Sequence, residues 1–176
     1  MIAISRDAPM ITEAEIKTRI SELAEMLDRD YGGTIPVLLG VLTGSFILVA
    51  DLCRAMKSEC LVDFVRVESY GEGTVSTGRP RMALAPKIDL KGRHVLVVDE
   101  IVDTGLTLSA LLGELRSLGP AEIKTLALID KKSRRRVPLA PDYVGFSVED
   151  GFLVGYGLDA AEKMRTLPEI RLLNEN

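Results

Sequence analysis

The chain has few of the residues from which most metal and redox centres are built. Its 176 residues include one histidine, His94, and two cysteines, Cys53 and Cys60. Neither cysteine stands in a CxxC pair or at a Cys/His ligand spacing, which argues against a zinc site and leaves two reduced thiols, Cys53 in a helix core. A basic excess is also missing: 22 Lys and Arg face 26 Asp and Glu, a net charge of −4, which argues against broad nucleic-acid binding. No apolar run approaches the ~18 residues of a membrane span. No basic start leads into a long apolar segment, so no signal peptide is expected and the cytoplasm is the default location. No GxGxxG follows a strand, and Gly40-Val41-Leu42-Thr43-Gly44-Ser45 lacks the lysine and the length of a Walker A loop. Repeats, linkers and low-complexity segments are absent. The content of 47% hydrophobic and 27% charged residues is that of an ordinary globular chain, and the length fits one domain over residues 1–176.

The most informative segment runs from Val95 to Leu108. Val95-Leu96-Val97-Val98 reads as a parallel strand buried on both faces. The run then meets Asp99 and Glu100, a third carboxylate at Asp103, and the turn Thr104-Gly105-Leu106-Thr107. Helical spacing resumes through Leu108, Leu111, Leu112 and Leu115. A Thr/Gly turn at a helix N-terminus offers backbone N–H groups to an anion. In an open α/β sheet, ligands bind at the carboxyl ends of strands, which is where this turn falls. Carboxylates beside an anion cradle make chemical sense when they hold sugar hydroxyls or a divalent metal. Asp99-Glu100 alone would read as a solvated first turn; with Asp103 added, three carboxylates so close repel unless a cation joins them.

Around this segment the pattern alternates strand and helix. Thr12 and Glu15 have capping-box spacing, and Ile16, Ile20, Leu23, Ala24 and Leu27 form an apolar face that ends at Gly32-Gly33. Pro36 to Leu42 reads as a buried strand, turned by Thr43-Gly44-Ser45 into a helix running to about Lys57. Val62 to Glu68 is a less buried strand. Residues 69–80, rich in Ser, Thr and Gly, predict a mobile loop, and Arg81 to Ala85 a short strand returning from it. Gly119-Pro120 closes the central helix. Ile123 to Ile129 is the next strand, ending at Asp130-Lys131-Lys132, and Asp142 to Val148 and Phe152 to Tyr156 are the last. The class is α/β with a mostly parallel sheet. Taken singly, Lys131 reads as a surface lysine, Phe152 as core, and Ser133-Arg134-Arg135-Arg136 as a solvated turn. His94 flanks the central strand without an evident partner.

Three segments together resemble the hypoxanthine-guanine phosphoribosyltransferases of the type I phosphoribosyltransferase family. They are the strand-turn-helix just described; Ser69-Tyr70-Gly71 with Thr74, Ser76 and Thr77; and Lys131 followed by Pro141 to Phe146 and Phe152 to Asp159. The resemblance implies a mostly parallel central sheet flanked by helices, with a flexible antiparallel arm and a small C-terminal hood. It implies purine salvage: hypoxanthine or guanine reacts with phosphoribosyl pyrophosphate to give the monophosphate and pyrophosphate. Magnesium would be the cofactor, and the chain would form a homodimer or homotetramer.

By the same resemblance each matching position acquires a role. Asp103 is the general base at purine N7. Asp99 and Glu100 bind ribose hydroxyls and, with Asp159, place magnesium. Asp103, Thr104, Gly105, Leu106, Thr107 and Leu108 hold the 5′-phosphate. Lys131 reads the purine O6; an ammonium only donates hydrogen bonds, so it favours a 6-oxo over a 6-amino group. Phe152 stacks on the base and the Leu153 backbone meets its edge. Arg165 faces the leaving pyrophosphate, Thr43 and Gly44 contact it largely through backbone in an unusual peptide geometry, and Ser69 and Tyr70 close over the site to exclude water. Two departures stand out: Thr43 occupies a place where the family usually has a basic residue, and Asp99-Glu100 reverses the more common order of the acidic pair.

Other readings compete. A signalling receiver domain also uses strand-end carboxylates, a Thr and a Lys, but its acidic pair comes early in the chain, whereas Asp99-Glu100 lies past the midpoint. A non-catalytic regulator that keeps the fold to sense a nucleotide, or a xanthine-preferring relative, is the alternative nearest to the enzyme reading.

Overall fold

Thr12 begins the first helix in the way its spacing predicts. Its hydroxyl accepts from the Glu15 N–H at 3.2 Å while the Glu15 carboxylate accepts from the Thr12 N–H at 2.8 Å, closing a capping box at the start of α1 (Glu13–Asp30). The computed structural model describes residues 9–68 and 81–173. In chain order the remaining elements are β1 (Val37–Leu42), α2 (Phe46–Ala55), β2 (Leu61–Glu68), β3 (Arg81–Leu84), β4 (His94–Val102), α3 (Leu106–Ser117), β5 (Glu122–Asp130), β6 (Tyr143–Ser147), β7 (Phe152–Val154) and β8 (Arg171–Leu173), with a single 3₁₀ turn at Lys132–Arg134.

Six strands form one sheet in the order β3-β2-β1-β4-β5-β6, and all neighbours are parallel except β2 and β3. Side-chain alternation divides the core between the two faces. Leu38, Leu96 and Val98 point to the side covered by α1 and α2, where they meet Leu23, Leu27, Leu48 and Leu52. Val37, Leu39, Val95 and Val97 point to the other side, against Leu108, Leu111 and Leu115 of α3. Burial on both faces explains the unbroken apolar run in β4; each fully buried aliphatic side chain contributes about 1.5–3 kcal/mol.

The strand order reverses between β1 and β4, the usual place for a ligand crevice. The register shows how the crevice opens. β1 pairs with β4 only from Val37↔Val95 to Gly40↔Val98, while β4 continues against β5 as far as Val102↔Asp130 and β1 continues against β2 to Leu42↔Arg66. Past Val98 the two central strands therefore part. The strand read over Val95–Val98 thus continues through the acidic pair: Asp99 and Glu100 are both strand residues, and Asp99 pairs with Ala127 of β5.

The hood was only partly foreseen. β7 ends at Val154, two residues short of the expected Tyr156, and pairs antiparallel with β8, an element the sequence pattern did not reveal. Reciprocal backbone bonds between Ile11 and Ile170, at 3.1 and 2.9 Å, tie the start of the described chain to the hood. Helix α2 ends at Ala55, about two residues before its expected limit. His94 does have partners: its Nδ1 lies 3.1 Å from Glu122 Oε2, and its ring meets Tyr31 edge-on at the end of the sheet away from the crevice. Cys53 is half-buried and its thiol donates to the Ala50 carbonyl at 3.4 Å; burial pushes the Cys60 thiol up, and both are free thiols. Among the described residues no helix is long and apolar enough to cross a membrane.

Candidate active site

Two adjoining cavities occupy the crevice where β1 and β4 separate. The smaller, about 310 Å³, is lined by Val41 and Leu42 from β1 and by Asp99 to Gly105, Thr107 and Leu108. The larger, about 740 Å³, is lined by Glu100, Ile101 and Asp103 on one side and by Lys131, Phe152, Leu153, Leu158 and Asp159 on the other. Glu100, Ile101 and Asp103 line both, so the two cavities meet at the end of β4.

The smaller cavity is the anion cradle. Gly105 has φ +78° and, as the N-cap of α3, has no side chain of its own to cap the first turn. The first N–H groups of a helix have no partners within it, so here they face the cavity and suit an anion. The Thr104 hydroxyl accepts from the Leu106 N–H at 3.4 Å, while Leu106 itself is exposed. A Cβ at residue 105 would lie 2.9 Å from both Arg135 Cδ and Val137 Cγ2, so glycine is required there by space as well as by φ.

The acidic pair is held at the rim. Asp99 is buried, and burial pushes its carboxyl well above the usual range, with the Glu100 charge adding to the effect. Burial also raises Glu100, offset in part by hydrogen bonding to Asp99 and by the Arg165 cation, while Asp159 adds to the rise. The loop after β1 reaches the same carboxylate: a Cβ at Gly44 would fall 1.9 Å from Glu100 Oε1, and a Cβ at Gly157 would fall 2.0 Å from the Gly44 carbonyl. Two glycines thus let the β1 loop, Glu100 and the hood close on one another. The Leu42–Thr43 peptide is cis, and Thr43 is exposed beside the crevice.

On the far side, Lys131 is buried rather than at the surface, and its ammonium donates to the Gly151 carbonyl. Two of its three donors remain for a ligand. Phe152 is 46% exposed on the cavity wall, unlike a core phenylalanine. Arg165 does not line either cavity. It is 2.9 Å from Asp159 Oδ1 and 3.0 Å from Glu162 Oε2, and it donates to the Gly157 carbonyl at 2.8 Å, so it orients Asp159 and the glycine that touches Gly44. The Asp159 carboxylate also accepts from the Glu162 N–H at 2.8 Å. Among the described residues no three carboxylates, imidazoles or thiolates gather into a ready metal cage. Ser69 and Tyr70, expected to close the site, lie outside the described residues.

Asp103 stands where the cavities join. Its Oδ1 is buried with no hydrogen-bond partner among the described residues, and its Oδ2 lies 3.4 Å from Arg134 Nη1. An unpaired carboxylate oxygen at a cavity wall is free to take a proton from a bound molecule. Several wall residues escaped sequence reasoning: Arg134, Asp150, and Leu172 and Leu173 of the unforeseen β8. The turn 133–136 is also not simply solvated, since Arg135 is partly buried and paired with the buried Asp130. Its only sequence signal was a buried-strand aspartate five positions earlier.

A mostly parallel sheet whose central crevice carries an anion nest, an acidic rim and a cavity walled by Lys131 and Phe152 belongs to a nucleotide-handling α/β enzyme. The phosphoribosyl transferase domain model matches residues 10–161. A hypoxanthine-guanine phosphoribosyltransferase of Aquifex aeolicus is 42% identical over 167 residues, 94% of each chain. The hypoxanthine phosphoribosyltransferase of Escherichia coli is 42% identical over 163 residues, 92% of each chain. A crystal structure of a hypoxanthine-guanine phosphoribosyltransferase from Bacillus anthracis superposes with a TM-score of 0.91 at 38% identity, covering 98% of this chain and all of that one. The chain belongs to the phosphoribosyltransferase family.

Proposed function

We propose that the chain transfers the phosphoribosyl group of phosphoribosyl pyrophosphate to a 6-oxopurine, hypoxanthine or guanine, as the names of its relatives suggest. The observation that carries this reading is the junction at Asp103, where an anion cradle and a slot walled by Lys131 and Phe152 meet. The 5′-phosphate would sit on the Thr104–Leu108 turn and the purine between Lys131 and Phe152, which puts the reacting ribose carbon beside Glu100 and Asp103. Purine N9 forms the bond to C1 of the ribose as the C1–oxygen bond to pyrophosphate breaks. The proton on N7 then passes to Asp103. Lys131 donates to O6 of the base, and a 6-amino group, itself a donor, would leave the buried ammonium facing another N–H.

The donor chemistry at the rim suits magnesium. Mg²⁺ takes one or two carboxylates together with water and substrate oxygens rather than an all-protein cage. Glu100 and Asp159 would hold it with Asp99 behind them, and the ion would supply charge to the departing pyrophosphate. Thr43 and Gly44 would meet that pyrophosphate through their backbone. The enzyme would act in the cytoplasm as a homodimer or homotetramer.

Pyrophosphate release with hypoxanthine, guanine, xanthine and adenine in turn, with magnesium present, tests the reading. Release with hypoxanthine or guanine and little with adenine is expected. Lys131→Ala should erode the selection against adenine by ~10²-fold or more. No release with any base would leave a nucleotide-sensing regulator of the same fold.

A further inference from the structure

The geometry points to Arg135 as a positioning residue that fixes the distance between the anion cradle and the purine slot. This rests on the proposed reading of those two cavities. Arg135 lines neither of them. Its side chain is 13% exposed and each of its three guanidinium nitrogens is engaged. Nε donates to the Asp103 carbonyl at 3.0 Å and Nη2 reaches the Val102 carbonyl at 3.4 Å. Nη2 also pairs with the buried Asp130 carboxylate, and Nη1 donates to the Leu139 carbonyl. One planar group thus joins the exit of β4 to the exit of β5.

Those two exits carry the two halves of the site. Val102 and Asp103 lead directly into the Thr104–Leu108 turn, and Asp130 immediately precedes Lys131. The Arg135 stem also supports the cradle from below, since its Cδ lies 2.9 Å from where a Gly105 Cβ would stand. Backbone bonds run alongside the guanidinium, Lys131 N–H to the Val102 carbonyl at 3.0 Å and Arg136 N–H to the Thr104 carbonyl at 2.9 Å. The β4–β5 ladder ends at Val102↔Asp130; beyond it each of these bonds ties the two exits through one donor and one acceptor. A guanidinium presents donors in a fixed plane to several acceptors at once, whereas a lysine ammonium is a point charge that cannot span them. If Arg135 served stability alone, its loss would lower the melting temperature and leave ligand preferences unchanged. A spacing role predicts instead that a ligand gripped at both ends loses its advantage over one gripped at the base alone.

Inosine monophosphate and inosine differ only in the phosphate that the cradle would hold. Their affinities should be measured by calorimetry on the wild-type chain and on R135Q and R135K, with circular dichroism to show folding. In the folded variants the ratio of the two affinities should fall by roughly tenfold or more, since small misplacements of a positioned group cost up to ~10²-fold. Inosine affinity itself should stay near wild type. Where R135Q fails to fold, D130N/R135Q, which removes both charges of the buried pair, gives the same comparison. A wild-type ratio in any folded variant lacking the arginine overturns the positioning role and leaves the site reading intact. A wild-type chain that binds both ligands equally would overturn the site reading, and this inference with it.

Discussion

The Tyr156 hydroxyl donates a 2.6 Å hydrogen bond to the Asp51 carboxylate, joining the hood to α2 across 105 positions of chain. Burial holds the phenol above its usual range, so it remains a neutral donor at any working pH. The next residue, Gly157, packs on the Gly44 carbonyl beside Glu100. The bond therefore steadies the contact that closes the crevice. Tyr156→Phe should cost about 1 kcal/mol, because Asp51 keeps Arg54 as a second partner. That corresponds to ~2–4 °C in a thermal melt for a chain of this size. An unchanged melting temperature would mean that packing alone holds the hood.

Asp99 is a place where stability and activity should oppose each other. Its carboxyl is raised by burial and by Glu100, so carrying charge there at neutral pH destabilises the fold in the absence of a cation. For a raised acid, the protonated form is favoured on folding, and stability is lost as pH climbs past the unfolded value. Asp99→Asn removes that loss. The variant should melt a few degrees higher than wild type at pH 7 without magnesium, about 1–2 kcal/mol, and turn over more slowly. A lower melting point would show that the carboxylate is satisfied as it stands.

Asp28 gives the opposite pH dependence. It is partly desolvated, which raises its carboxyl, but bonds from the Lys57 N–H at 3.0 Å and the Ser58 N–H at 2.9 Å outweigh this and hold it below its ordinary value of 3.8. Its contribution is present above that value and is lost as pH falls through the lower folded value. Asp28→Ala should cost about 1–2 kcal/mol in urea unfolding at pH 7. The gap between variant and wild type should narrow as pH falls through the lowered folded value. A gap independent of pH would assign the effect to helix propensity rather than to the carboxylate.

Asp103→Asn removes a proton acceptor while preserving shape. Single-turnover phosphoribosyl transfer should slow by ~10²–10⁴-fold, the usual contribution of a positioned base, with little change in binding of phosphoribosyl pyrophosphate. A rate near wild type would remove Asp103 from the proton transfer and leave it as a partner of Arg134.

What could be read from sequence was local. The capping box at Thr12 and Glu15, the doubly buried run Val95–Val98 and the Thr-Gly turn each announce themselves within a few residues, because helix caps, sheet burial and anion nests depend on near neighbours. Lys131 and Phe152 taken singly pointed the wrong way, and only their resemblance to a known arrangement placed them at a pocket. The features that escaped depend on distant chain. Strand β4 runs on past Val98 because β5 still offers it partners. β8 exists because β7 lies beside it, and three residues, Arg171–Leu173, give too short a pattern to recognise. Arg135 looks like surface charge until Asp130 and the β4 carbonyls are seen around it.

The most direct measurement is a crystal structure of the chain with bound inosine monophosphate. The phosphate should lie on the backbone N–H groups of Thr104 to Leu108, and the purine between Phe152 and the Lys131 ammonium, with N7 within hydrogen-bonding distance of Asp103. A phosphate bound away from that turn, or a base outside the Lys131–Phe152 slot, would contradict the proposed site.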